Sequence, residues 1–237
     1  MDVRSALATR KSIRAFLDQP VAAGTIREII ERAARTASGS NLQPWHVYVL
    51  LGRARDELIR RVRAQLPSLP RGEPPEYRIH PPNLCEPYGS RYFRAASLVY
   101  AALGISRDDV TGRARHLANN WQFFGAPVGL IFTIHRQMEP GQWADLGMYM
   151  QSIMLLARDY GLDTCAQEAW ALWPKTLRAC LAIPNEHMVV CGMALGFRDP
   201  IAAVNTFESE RAPLEEYATV LETIEVASDC ESEPREV

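Results

Sequence analysis

The chain has 237 residues, of which 47% are hydrophobic, and a formal net charge of -2, which is enough apolar material for one substantial core. So balanced a charge excludes a global basic field for nucleic acid, and any electropositive feature must be local. The longest clean apolar run, residues 127–134, falls well short of the ~20 residues a membrane-spanning helix needs.

The first distinctive stretch is A-T-R-K-S-I-R-A-F, residues 8–16, in which Arg10, Lys11 and Arg14 surround Ser12. Asp2, Asp18 and Glu28 dilute the acid-poor pattern of a transit peptide, so the N-terminus is expected to belong to the fold. If the chain is extended as it leaves a short N-terminal helix, the period-two rule puts Arg10, Ser12 and Arg14 on one side. Two guanidiniums and a hydroxyl there suit a terminal phosphate and an electron-rich ring. A solvated basic corner is the competing reading.

Residues 25–37 set Ile26, Ile29, Ile30, Ala33, Ala34 and Ala37 on one helical face, and Thr25 with Glu28 has capping-box spacing. A small polar loop, A-S-G-S-N-L-Q-P-W, leads into the strand pattern W-H-V-Y-V-L-L, closed by Gly52. A charged helix around Leu58, Val62 and Leu66 follows. Seven of the sixteen prolines then fall between 67 and 90, which rules out a long helix or central strand there. Such an excursion is expected to be a lid or an interface-packing insertion.

A helix after Asp108 is expected to carry Val110, Ala114, Leu117 and Trp121 inward, ahead of a buried strand P-V-G-L-I-F-T-I. Residues 143–160 form the clearest helix. Its face of Trp143, Leu146, Gly147, Met150, Ile153, Met154 and Ala157 is widened by Met148, Tyr149, Leu155 and Leu156. Apolarity nearly all round wants a core or a subunit interface, and Gly161 marks the stop. Residues 187–197 read as a last buried strand, with Gly192 and Gly196 permitting close backbone approach. Helices and strands alternate irregularly, predicting an α+β layer structure.

From 208 onward the chain holds ten acidic side chains against two arginines, and disorder is expected from about 227. The five cysteines form no C-x-x-C pair and read as reduced, cytoplasmic core thiols, Cys165 among them. The histidines show no metal-ligand spacing, so no metal is expected. Trp121, Phe123, Phe124, Trp170 and Trp173 read as core first and pocket second.

Taken together, R-K-S-I-R-A-F, S-G-S-N-L-Q-P-W, G-L-D-T-C-A-Q-E-A-W, V-V-C-G-M-A-L-G-F and E-R-A-P-L-E-E-Y resemble, in order, the motifs of the nitroreductase family, which includes the iodotyrosine deiodinases. The likeness spans about residues 3–220 and looks most like the bacterial aryl-nitro reductases. It implies an α+β fold with a central mixed, mainly antiparallel sheet flanked by helices, built as an intertwined homodimer. It also implies one FMN-binding domain over 1–226, with the proline-rich insertion at 67–90, a partner-embracing segment at 199–226 and a tail at 227–237. By the resemblance, Arg10, Lys11, Ser12 and Arg14 hold FMN, with Arg14 near the ring as electrostatic support, and Arg211 closes on the phosphate. Ser38, Ser40 and Asn41 come from the partner subunit. Gln167 and Glu168 lie at the N5 and O4 edge, N5 being the reactive centre, although Ala169 replaces a frequent glycine and Ser209 a frequent base.

The implied activity is ping-pong reduction, with NADH or NADPH as diffusible donor, of nitroaromatics to hydroxylamines or of quinones. No G-x-G-x-x-G follows a strand, which fits a transient nicotinamide. A deiodinase-like dehalogenase is an alternative, since Glu73 and Tyr77 have the spacing of that branch's lid; Lys11 and Lys175, however, are the only lysines. A non-catalytic flavin-binding dimer and a purely structural dimerisation module are further alternatives.

Overall fold

The computed structural model describes residues 1–223, so the acidic tail expected from 227, the last residues of the 199–226 segment and Cys230 lie outside the described residues. In chain order the helices and strands are α1 (Val3–Thr9), α2 (Ala23–Ala33), β1 (Trp45–Leu51), α3 (Gly52–Gln65), α4 (Tyr88–Ala102), α5 (Val110–Ala118), β2 (Val128–His135), α6 (Pro140–Asp159), β3 (Asp163–Gln167), α7 (Pro174–Leu181) and β4 (His187–Gly196). The strands form one sheet in the order β1-β2-β4-β3, every neighbouring pair antiparallel. A single parallel bridge from Ser12 to Thr164 extends it toward the N-terminal loop.

β2 explains why the sheet sits centrally: Leu130, Phe132 and Ile134 face α2 and α6, while Ile131 faces α3 and α7. A strand covered on both faces needs apolar residues at successive positions, and the run at 127–134 supplies them. On the first face Leu146, Tyr149, Ile153 and Ala157 of α6 are buried against Ile26, Ile29 and Ala33 of α2. On the second, Trp121, Phe123, Trp170 and Trp173 fill the space between sheet and helices. Phe123 and Trp170 stack at 4.5 Å. They fit only because Gly192 lacks a side chain; a Cβ there would lie 2.3 Å from the Trp170 ring. Gly196 admits Pro127 in the same way.

Four expectations are corrected. Helix α2 begins two residues before Thr25, with Ala22 at its cap and no side-chain capping bond, so Thr25 and Glu28 form no capping box. It also ends at Ala33, leaving Ala34 and Ala37 exposed, because the chain turns toward the small polar loop. Helix α5 starts where expected, with Asp109 accepting from the Gly112 N–H, yet Val110, Ala114 and Leu117 are exposed and Trp121 alone reaches the core. Finally, the 67–90 window is not structureless throughout, since α4 begins at Tyr88 with Pro87 at its cap.

The insertion is also tied down at its middle. The Glu73 carboxylate accepts from Lys175 N (2.7 Å), Thr176 N (3.2 Å) and Thr176 Oγ1 (2.7 Å), capping the first turn of α7. Glu76 accepts from Val189 N at 2.9 Å and pairs with Arg136 and Arg178. Tyr77 donates to the Val190 carbonyl at 2.7 Å and packs edge-on against Trp143. Burial raises the Tyr77 phenol further above its ordinary value. Residues 73–77 therefore form a clasp of packed and hydrogen-bonded side chains against α7 and β4. Glu73 and Tyr77 are turned inward, so they cannot grip a zwitterion as the deiodinase alternative requires.

Candidate active site

Helix α1 is capped by Asp2, whose carboxylate accepts from Ser5 N at 3.0 Å, and the chain leaves it extended. Ile13 is fully buried and donates its N–H to the Thr164 carbonyl at 3.0 Å, pinning the loop to the sheet edge. The alternation around that anchor brings Arg10, Ser12 and Arg14 to one cavity of about 450 Å³, which Lys11 and Arg211 also line. Ala95 and Val99 of α4 form an apolar wall, and Val204, Asn205 and Glu208 close the cavity from the C-terminal segment.

Asn205 holds these pieces together, and nothing in the sequence reading singled it out. Its Oδ1 accepts from Arg14 N at 2.8 Å, and its Nδ2 donates to Ala15 O at 2.8 Å and Asp199 O at 2.9 Å. A lone asparagine in an irregular tail has no spacing signature, so only tertiary structure exposes its role.

The electrostatics are those of an anion site. Among the described residues no carboxylate lies within ion-pair distance of Arg10, Arg14 or Arg211; Lys11 alone has an acidic partner, Glu208, at 2.9 Å. Burial, and then the nearby Arg211, lower the Arg10 pKa from its ordinary value. Positive charges have thus been gathered and partly dehydrated without internal neutralisation. Behind them, burial pushes the Cys165 thiol up to about 11 despite Arg14 and Arg10, which makes it a packing thiol rather than a nucleophile.

Gln167 is buried and donates through Nε2 to the Asn120 carbonyl at 2.7 Å, while its Oε1 has no partner among the described residues. Thr164 Oγ1, on the residue paired with Ser12, is also buried and without a partner among these residues. Glu168 is exposed, with His80 Nε2 at 3.7 Å. Ser38, Ser40 and Asn41 do not line the cavity. They occupy a separate loop over α6, where Gly39 N donates to the buried Asp145 at 3.1 Å and Ser38 Oγ accepts from Gln43 N at 3.0 Å. Ser40, Asn41 and Gln43 hold positive φ (50°, 57° and 48°), a costly conformation for non-glycine residues that often accompanies function.

Two histidines outside the cavity set a pH dependence. Burial lowers the pKa of both His187 and His116; His46 and His135 add to the effect at His187, and Arg14 at His116. A histidine whose folded pKa is depressed is stabilising while neutral, so this contribution is present above the unfolded value of ~6.5 and is lost as pH falls below it. The melting temperature is expected to fall between pH 7.5 and 5.5, with a smaller fall in H187Q. An equal fall in both proteins would assign the dependence elsewhere.

This α+β scaffold gathers three guanidiniums, without acidic partners among the described residues, around one pocket whose charge is complementary to an anion. A family model described as the Nitroreductase family matches residues 7–197, and the chain belongs to that family. It is 42% identical over 210 residues to a chloronitrobenzene nitroreductase of Comamonas testosteroni, covering 89% of this chain and 92% of that one. It is 38% identical to a 4-nitrobenzoate reductase of Nocardioides sp. (strain LMS-CY), covering 90% and 87%. In structure it is similar to an FMN and NADPH-dependent nitroreductase, NfnB, from Sphigopyxis sp. strain HMH, with a TM-score of 0.90, 40% identity and coverage of 93% and 99%. No helix among the described residues is long and apolar enough to cross a membrane.

Proposed function

We propose that the chain is an FMN-dependent NAD(P)H nitroreductase acting on small nitroaromatics, with quinones as a second acceptor class. The observation that carries this reading is the uncompensated cluster of Arg10, Arg14 and Arg211 around one cavity. The donor set fits FMN: guanidinium forks and Ser12 for the phosphate and ribityl chain, with Thr164 Oγ1, buried and lacking a partner among the described residues, on the residue bridged to Ser12. Arg10, Lys11, Ser12 and Arg211 would hold the phosphate end and Arg14 the pyrimidine edge, with Gln167 and Glu168 bordering the ring. Once bound, the flavin supplies the two-electron chemistry that no side chain here can perform. Arg14 contributes a fixed cation that favours negative charge on the ring in a partly dry site.

In this reading the protein is a homodimer, and Ser38, Ser40 and Asn41 serve the partner's cavity, which accounts for a strained polar loop remote from the chain's own. Supporting it, α6 leaves the large apolar side chain of Met148 44% exposed. Free cysteines, Cys165 and Cys191 buried among them, suit a reducing cytoplasm.

Purified protein is expected to be yellow and to oxidise NADH or NADPH when nitrobenzene or 4-nitrobenzoate is added. A yellow protein without turnover would instead favour the flavin-binding dimer, and a colourless one that FMN cannot reconstitute would leave only a structural module. Within the cavity Glu208 competes with any phosphate for Lys11. E208Q should therefore tighten FMN binding by roughly three-fold at low salt, since an exposed ion pair is weak. The gain should vanish in high salt; a loss of affinity would show that Glu208 organises the site rather than competing in it.

A further inference from the structure

The stretch 207–218 carries Arg211 to the anion cavity, yet among the described residues no backbone hydrogen bond joins it to the rest of the chain. Arg211 Nη1 is bound within the segment, by Ser209 O (3.0 Å), Ser209 Oγ (2.8 Å) and Glu210 O (2.8 Å). Those bonds fix the guanidinium to its own backbone and do not fix that backbone to the body of the protein. Arg10 and Arg211 also line one cavity without an acidic partner among the described residues, so they repel each other until an anion binds.

The opposing force comes from α4. Arg91, Arg94 and Leu98 share one helical face, which walls a second cavity whose other side is the C-terminal segment. Across it Arg91 Nη2 meets Glu216 Oε2 at 2.6 Å, and Arg94 Nη1 meets Glu210 Oε2 at 2.5 Å. The segment is thus braced on both sides of Arg211. Arg91 and Arg94 line only the second cavity, whereas Arg211 lines both. We propose, on the FMN reading above, that Arg91 and Arg94 are positioning residues for the anion site: their ion pairs latch the segment to α4, hold Arg211 over the cavity against repulsion by Arg10, and slow release of a bound phosphate group.

Such a latch reverses the sign of charge removal along the segment. If its acids acted only through their negative charge, neutralising any of them would strengthen phosphate binding. Glu208 does act so, because it pairs with Lys11 at 2.9 Å inside the first cavity. Glu210 and Glu216 lie outside that cavity and hold the arginine that closes on it, so neutralising them weakens phosphate binding instead. Both pairs are well exposed, with side-chain accessibilities of 60%/62% and 43%/47%, and exposed pairs are weak. A weak tie suits a segment that opens for the cofactor to enter and leave.

Dilution of FMN-loaded protein, followed by recovery of free-flavin fluorescence, is expected to show release about five-fold faster in R91M/R94M and in E210Q/E216Q, with circular dichroism unchanged. R91K/R94K keeps the charges and should stay near the unaltered rate, and the charge swap R91E/E216R should restore most of what R91E alone loses. In an R211M background R91M/R94M should add nothing further, since the latch works through Arg211. An equal increment there, or tighter FMN binding in E210Q/E216Q, would overturn the proposal. A second measurement needs no flavin. Trypsin cleavage after Arg211 in flavin-free protein should be several-fold faster in R91M/R94M, and sodium chloride should accelerate it in the unaltered chain far more than in that variant. Equal cleavage of the two proteins would also overturn the latch. Failure of FMN to bind would count against the cofactor reading, and cleavage would still decide the latch.

Discussion

Replacing Arg10 by methionine is expected to lower the affinity for FMN by about a hundred-fold, each charge-assisted hydrogen bond lost contributing about 1.5–3 kcal/mol. Methionine keeps the apolar bulk of the stem, so the loss reports the guanidinium rather than a cavity. The same substitution should leave the flavin-free chain no less stable. In the folded state Arg10 is half-buried beside Arg211, and its lowered pKa means that its charged form is held there at a cost. Removing that charge relieves the cost where no anion is bound. Flavin fluorescence titration and thermal melting of flavin-free protein check the two halves separately. R10K should recover part of the affinity, since an ammonium restores charge but not the fork. A fall in both affinity and flavin-free stability would identify Arg10 as a structural residue and would remove the main support for an anion site.

How far the sequence could be read depended on whether the deciding force was local. Strands β1, β2 and β4 and helix α6 are long apolar patterns bounded by turn residues, and they sit where periodicity puts them. Arg10, Ser12 and Arg14 converge because the two-residue period of an extended chain is a local rule, and the buried Ile13 between them sets the phase. Helix α4 was hidden for a different reason. The prolines at 67–87 read as breakers, yet a proline at a helix entrance is compatible with the first turn, and Pro87 marks a beginning. The exposed apolar side of α5 misled in the opposite sense: its spacing is that of an inward face, but the helix lies at the rim with Val110 74% exposed.

The site components that escaped the sequence are tertiary bonds between distant segments. Asn205 clamps the 14–15 backbone from 190 residues away, and Glu73 caps a helix that starts about a hundred positions later. No spacing rule relates such partners. Gln167 was singled out only through its resemblance to a family motif, and its buried Oε1 has no partner among the described residues. The loop with Ser38, Ser40 and Asn41 remains apart from the cavity within one chain, and joining the two requires a second copy.

Asp163→Ala is expected to destabilise the protein by about 3–5 kcal/mol, the usual consequence of removing one partner from a buried ionic group. Asp163 is 2% exposed and accepts from Arg158 Nη1 at 2.9 Å, Arg198 Nε at 2.7 Å and Arg198 Nη2 at 2.8 Å. Alanine would strand both guanidiniums, of which Arg158 is the more buried. The damage should also reach the anion cavity: Asp163 begins the strand whose Thr164 carbonyl anchors Ile13, and Arg198 forms the backbone bridge to Phe16. FMN affinity should therefore fall with stability, unlike the separation predicted for R10M. The cost reflects a stranded charge more than a favourable pair, so adding R158M to D163A should restore part of the loss instead of deepening it. Urea denaturation of the single and double variants, with flavin titration of each, measures both effects. Simple addition of the two losses would show that Arg158 and Asp163 act independently despite their contact.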